Sequence, residues 1–234
     1  FRLAADFWSH PGPGTDAAQE DDAYFKLFKR NLQLALDLGS PAIRVDTVDD
    51  PEKGVEGVDR QTAWDRIVSV WQRCAQVSED HGVLLVWEFE PGFAFNKPSY
   101  VLKVLDKLQH ENFGLMYDTC HGQMVGVNGT RQEGEKEVVT NQLELIKKFS
   151  GRINHIHLID SDNTCHKDEN GNDETSAHPP FGEGILNFDE IVPELAKENI
   201  GHDWWTVDLC FWPEAWAATE KCKSALDQLV SKYG

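Results

Sequence analysis

What this chain lacks sets the first limits on what it can be. No stretch approaches the roughly 18 consecutive apolar residues that a membrane span requires, and no basic-plus-apolar leader opens it. We therefore expect no membrane partner and a cytoplasmic setting. Cysteine is scarce: Cys74, Cys120, Cys165, Cys210 and Cys222 are five in number, with no CxxC pair. Disulfide frameworks are small and dense in cysteine, so these read as mostly reduced thiols. Basic charge is short as well, with 22 Lys and Arg against 40 Asp and Glu and a formal net charge of −18. Such a field repels phosphate backbones and anionic surfaces, which argues against nucleic acid as a partner, while it attracts metal cations. No GxGxxG follows a strand-like run, which weakens a dinucleotide-binding reading. There is no internal repeat, no low-complexity linker and no initiating methionine; the chain opens on Phe1 directly in a strand-like run, so we expect native sequence before it.

What is present is ordinary for a globular protein: 234 residues, 40% hydrophobic and 26% charged. That length fits one large domain over residues 1–234, since barrels extend to roughly 250 residues as a single unit. Short, nearly continuous apolar runs lie at Arg2–Trp8, Ala42–Asp46, Val83–Phe89, Phe113–Asp118, Ile153–Ile159 and Trp204–Leu209. Their β-branched and aromatic content suits strands covered on both faces. Between them run amphipathic helices. Residues 21–38 place Phe25, Phe28, Leu32 and Ala35 on one face before Gly39-Ser40-Pro41, and residues 60–80 do so with Ile67, Trp71, Cys74 and Val77. Pro98 suits a first helical turn, Asn187 and Glu190 form a capping-box pattern, and a last helix spans about 213–232.

Repeated βα units imply a parallel sheet with right-handed crossovers, which six strands satisfy as an open sheet or as an incomplete barrel. The position of the polar residues favours the barrel. Ser9 and His10, Asp46, Glu88, Asp118, His157 with Asp160, and Asp208 all fall at C-terminal strand ends, the rim that carries barrel active sites. Two long loops, 47–59 and 161–184, interrupt the rhythm. The second holds His166, His178 and the turn Phe181-Gly182-Glu183-Gly184, and loops of this length often wall a site.

The strand-end residues are also the ones with metal chemistry. A carboxylate there costs desolvation energy unless it meets a cation or donors, which singles out Glu88. Glu90 is read either with it, by the period of two, or as the cap of the following turn. In Asp118-Thr-Cys-His121 the acid ends a strand and the histidine follows one turn later; Asp118 suits a metal, and His121 either a metal or substrate. In His155-Ile-His157 both rings share a face, the later one nearer the rim, so His157 is the ligand candidate and His155 a core histidine. Asp160 is placed to orient an imidazole. Asp208 completes an oxygen-rich Glu/Asp/His/Asp set suited to Mn²⁺ or Mg²⁺, with Co²⁺ or Zn²⁺ as alternatives.

The order of Glu88, Asp118-x-x-His121, His155-x-His157 and Asp208, with Gly182-Glu183-Gly184 before the last βα unit, resembles the xylose-isomerase-like barrels. Within them it looks most like the sugar phosphate isomerase/epimerase group, which includes ketose 3-epimerases and inositol-catabolic enzymes. The resemblance covers essentially the whole chain and implies a (β/α)8 TIM barrel lacking its first one or two βα units. It implies a divalent ion, Mn²⁺ first, on Glu88, Asp118, His157 and Asp208. Glu88 and Asp208 are then expected to move a proton beside a carbonyl through an enediolate, making this a sugar or polyol isomerase or epimerase. His121 matches the family's substrate-contacting histidine and is a candidate catalytic group. His10, Trp8, Phe93, Asp160 and His178 complete the residues expected on a carbohydrate, with Trp87, Phe95, Phe211 and Trp212 as further aromatics near strand ends. Homo-oligomerisation is left open.

Two departures bear on the chemistry. Asp208 stands where the family has Glu, one methylene shorter, and Asn163 and Lys167 occupy the region of the arginine typical of ketose epimerases. The same scaffold supports dehydratases and C-glycoside deglycosidases, which are the alternative. The motifs around Asp118, His157 and Ser9-His10-Pro11-Gly12 also look like those of endonuclease IV-type AP endonucleases. There, Ser176 stands where an Asp is expected two before His178, and the charge of −18 opposes DNA. A non-catalytic sugar-binding barrel is the remaining reading.

Overall fold

A computed structural model describes residues 12–198, 200 and 204–234. The strand expected over Arg2–Trp8, and with it Trp8 and His10, lies outside the described residues.

In chain order the elements are α1 (Asp16–Gln19), α2 (Ala23–Asp37), β1 (Ala42–Val45), α3 (Arg60–Glu79), β2 (Leu84–Glu88), α4 (Pro98–Leu108) and β3 (Phe113–Asp118). There follow α5 (Thr119–His121) running into a π-helical turn (Gly122–Val127), α6 (Gln142–Phe149), β4 (Ile153–Leu158), β5 (Cys165–Lys167), β6 (Asp173–Ser176), α7 (Phe188–Leu195), β7 (Thr206–Val207) and α8 (Ala215–Tyr233). The main sheet has five strands in the order β1-β2-β3-β4-β7, and every pairing in it is parallel. Strands in sequential order with helices between them form part of the wall of a (β/α) barrel.

Side-chain parity divides this sheet into two faces. Ile43 and Val45, Leu85 and Trp87, Leu115 and Tyr117, and Ile156 and Leu158 point to the helices and join one buried core with Phe28, Trp71 and Phe149. Trp71 meets Trp87 at 5.3 Å and Phe113 at 5.8 Å between ring centroids, and Phe149 meets Phe89 at 5.5 Å. The alternate residues point the other way: Arg44 and Asp46, Glu88 and Glu90, Met116 and Asp118, His155 and His157. All eight are buried. The polar side chains therefore share the interior face, while hydrophobic packing on the outer face fixes the strands that carry them.

The helices follow their apolar stripes with small shifts. In α2 the buried positions are Tyr24, Leu27, Phe28, Asn31, Leu32 and Ala35. Phe25, expected on that face, sits at its margin with the Arg73 guanidinium 4.0 Å over its ring. Pro98 occupies the first turn of α4, where its missing N–H costs nothing. The capping box expected at Asn187 does not form, because the Asn187 side-chain amide donates directly to Glu190 Oε1 at 2.8 Å. The strand expected over Trp204–Leu209 shortens to Thr206–Val207, which pairs through two residues with β4. Within the long loop 161–184 the chain forms an antiparallel hairpin, β5 with β6. No described helix is long and apolar enough to cross a membrane.

Candidate functional site

The C-terminal ends of β2, β3, β4 and β7 bring four of the expected residues together. Asp118 is the register partner of His157, and Asp208 follows two residues after Thr206, the other partner of His157. Glu88 ends β2 beside Met116 of β3. Around the Nδ1 of His157 stand Glu88 Oε1 at 3.1 Å, Asp208 Oδ2 at 3.3 Å and Asp118 Oδ2 at 3.6 Å. The ligand atoms of these four residues all lie within 4.8 Å of one another.

One imidazole nitrogen serves one acceptor at a time, so three carboxylates gathered around it leave negative charge uncompensated in a buried place. Asp118 Oδ2 is buried without a hydrogen-bond partner, a costly state that a cation relieves. Three carboxylates and one imidazole are a donor set suited to a divalent first-row ion or Mg²⁺. The residues present thus fit such an ion. Burial alone raises the Asp208 carboxyl. The hydrogen bond and charge of His157 outweigh it and hold Asp208 below the usual carboxylate range.

Two further histidines border this cluster. The backbone N–H of His121 donates to Asp118 Oδ1 at 2.8 Å, which caps α5 and fixes the histidine one turn above the acid. Its Nδ1 lies 2.9 Å from Ser176 Oγ, and its Nε2 lies 3.8 Å from Glu90 Oε2. His178 packs on it with ring centroids 4.8 Å apart. Both nitrogens of His178 are buried without hydrogen-bond partners, Nε2 at 4.0 Å from Asp118 Oδ1 and Nδ1 at 3.9 Å from Asp208 Oδ1. Burial, joined by the charge of His121, pushes the His178 imidazole below its ordinary value despite the neighbouring acids, so it is neutral at neutral pH.

Other expected residues stand elsewhere. Asp160 neither contacts an imidazole nor opens toward the cluster. Its carboxylate accepts backbone N–H groups of Ser161 at 2.9 Å, Gly182 at 2.9 Å, Gly184 at 3.1 Å and Leu186 at 3.0 Å, and so holds the turn around Phe181-Gly-Glu-Gly184. A Cβ on Gly184 would lie 2.3 Å from Asp160 Oδ1, so this close approach requires glycine. His155 is the core histidine expected, 3.2 Å from Thr206 Oγ1. Phe93 is half-buried in the turn leaving β2, its N–H donating to Glu90 O at 3.3 Å. Trp87 and Phe95 belong to the core, Phe95 packing edge-on to Trp64 at 5.1 Å. Phe211 stacks on His166 of the hairpin at 4.3 Å.

The hairpin reaches the site through its last strand. Thr175 donates to Glu90 Oε2, Ser176 meets His121, and Cys120 Sγ donates to Ala177 O at 3.0 Å. Arg44 on β1 is the residue that sequence reasoning missed. It is 4% exposed and contacts three carboxylates: Asp46 and Glu90, each at 2.5 Å, and Glu88 Oε2. Burial raises the carboxyls of Asp46, to about 7, and of Glu90, with Arg44 opposing the shift in both.

The sequence profile described as xylose isomerase-like TIM barrel matches residues 4–225. An inosose dehydratase from Bacillus cereus (strain AH820) is 21% identical over 152 residues, which are 62% of this chain and 46% of that protein. The chain thus spans about half the length of that curated relative. Among solved structures, an L-ribulose 3-epimerase superposes with a TM-score of 0.68 at 15% identity, over 95% of this chain and 72% of the other. The IolI protein with a bound zinc atom gives a TM-score of 0.66 at 20% identity, over 92% and 72%.

Proposed function

The chain belongs to the xylose isomerase-like TIM-barrel family, and on that footing we propose that it is a divalent-metal-dependent isomerase or epimerase of a sugar, sugar derivative or polyol. The observation that carries the reading is the convergence of Glu88, Asp118 and Asp208 on the single Nδ1 of His157. Its similarity to an L-ribulose 3-epimerase supports the carbohydrate class. A bound divalent ion supplies Lewis acidity there, polarising a carbonyl and acidifying the neighbouring C–H.

The chain's own residues supply the rest. Asp208, held below the usual carboxylate range, is ionised at neutral pH and so suits a cation rather than a proton. His178, neutral and with both nitrogens unpartnered, is able to accept a proton at one and donate from the other. His121 is held by Ser176 at Nδ1, which turns its Nε2 toward Glu90 and the interior of the site. The short reach of Asp208 assigns it to holding the ion, and leaves proton movement at the substrate carbon to Glu88, His121 and His178.

A second reading, metal-assisted dehydration of a polyol, is supported by the similarity to inosose dehydratase. The two readings part on their products. Metal analysis of purified protein, with activity before and after chelation, tests the shared premise: we expect one divalent ion per chain and activity lost with it. Full activity without any ion would sink the site. Reaction of candidate ketoses in D₂O then separates the two, since epimerisation returns an isomer carrying deuterium and dehydration returns a product lighter by one water.

A further inference from the structure

Arg44 stands on the interior face of β1, two residues before Asp46 and beside the end of β2. Each of its guanidinium nitrogens meets a different carboxylate: Nε meets Asp46 Oδ1 at 2.5 Å, Nη2 meets Glu90 Oε1 at 2.5 Å, and Nη1 meets Glu88 Oε2. The planar guanidinium is a rigid fork, so three fixed acceptors lock its orientation, and it in turn locks theirs. Glu88 is thereby divided. Its Oε2 is taken by Arg44, while its Oε1 lies 3.1 Å from His157 Nδ1 inside the four-residue cluster. Glu90, bound by Arg44 through one oxygen and by Thr175 through the other, is kept from swinging into the position of Glu88.

We propose that Arg44 is a positioning residue for the metal site, holding Glu88 so that it presents one oxygen to the ion and thereby setting which divalent ion is preferred. This rests on the metal reading above. Glu88, Asp118, His157 and Asp208 then offer one donor each, an arrangement that suits an ion satisfied by few protein ligands, such as Zn²⁺. A carboxylate released from Arg44 offers two oxygens, which favours ions that take more oxygen ligands, such as Mn²⁺. The arginine thus acts on ion choice without touching the ion.

The test is calorimetric titration of the metal-stripped full chain with Zn²⁺ and with Mn²⁺, in the wild type, Arg44→Gln, Arg44→Lys and Glu88→Gln. Wild type binds one ion. Arg44→Gln weakens Zn²⁺ by roughly 10–100-fold, the usual cost of losing a group that orients a ligand, and weakens Mn²⁺ less, moving the ratio toward Mn²⁺. Arg44→Lys, which keeps the charge but not the fork, falls between. Circular dichroism checks folding, and where Arg44→Gln is unfolded the Arg44→Lys ratio decides. Equal weakening of both ions, or none, assigns Arg44 a merely structural role and overturns the proposal. Undiminished binding by Glu88→Gln overturns it too, while leaving an ion on the other three residues. A wild type that binds no ion overturns the metal reading and this proposal with it.

Discussion

His178 Nδ1 lies 3.9 Å from Asp208 Oδ1, too far for a hydrogen bond and close enough for both to meet one substrate hydroxyl or water between them. The pair joins the loop after β6 to β7. His178→Gln is therefore expected to keep the metal content and to lower kcat by about 10²-fold or more, the contribution typical of a positioned acid or base. Metal analysis beside kinetics on a sugar that exchanges deuterium reads both. Unchanged kcat would remove His178 from the chemistry.

Loading of the cluster should be visible as stability. An ion that binds only the folded chain adds about 2.7 kcal/mol at a hundredfold excess over Kd. For a chain of this size each kcal/mol moves Tm by about 2–4 °C. Thermal scans with Mn²⁺ or Zn²⁺ against chelator should thus differ by several degrees. Asp118→Asn removes charge from an oxygen that has no hydrogen-bond partner, and should abolish most of that difference while leaving the metal-free protein no less stable.

Gly184→Ala should destabilise by about 1–3 kcal/mol, as overpacking does. The added Cβ would lie 2.3 Å from Asp160 Oδ1 and 2.4 Å from the Ser161 carbonyl oxygen. Urea denaturation measures the loss. Asp160→Ala leaves four backbone N–H groups without their acceptor and should cost at least as much.

Asp49 gives a pH dependence of defined sign. It is half-buried, its Oδ2 has no hydrogen-bond partner, and burial pushes its pKa up to about 6. The folded chain therefore holds this proton more tightly than the unfolded chain. The contribution of Asp49 is fully present below the unfolded value near 4 and is lost as pH rises through 6. Asp49→Asn should be more stable than wild type by about 1–2 kcal/mol at pH 8, after discount for its partial exposure, and the gap should close toward pH 4. A gap independent of pH would assign the effect to shape rather than charge.

The strands and the interior face were legible because parity is local. Asp118 and the His155–His157 pair announce their side of the sheet within six residues, and the apolar alternates confirm it. What escaped depends on partners distant in the chain. Arg44 reads as an anomaly in a buried strand until Glu88 and Glu90 are placed beside it, 44 and 46 residues later. Asp160 stands so near His157 in sequence that an imidazole partner is the natural expectation, yet its acceptors are filled from residues 182–186. The hairpin was unreadable because Asp168-Glu-Asn-Gly-Asn-Asp173 has the composition of a plain loop. Two short strands gain their order from Arg131, which donates to Glu174 O at 2.8 Å, and from the contacts of Thr175 and Ser176.

That hairpin separates two kinds of evolutionary freedom. Its root presents Thr175 to Glu90 and Ser176 to His121, so residues there are tied to the buried side chains below. Its tip, from Lys167 to Asp173, is exposed almost throughout, and exposed polar tips accept insertion and deletion readily. Length can therefore change at the tip while the root stays fixed, giving a means to alter how far the rim of the barrel extends over the carboxylate–histidine cluster without rebuilding the floor.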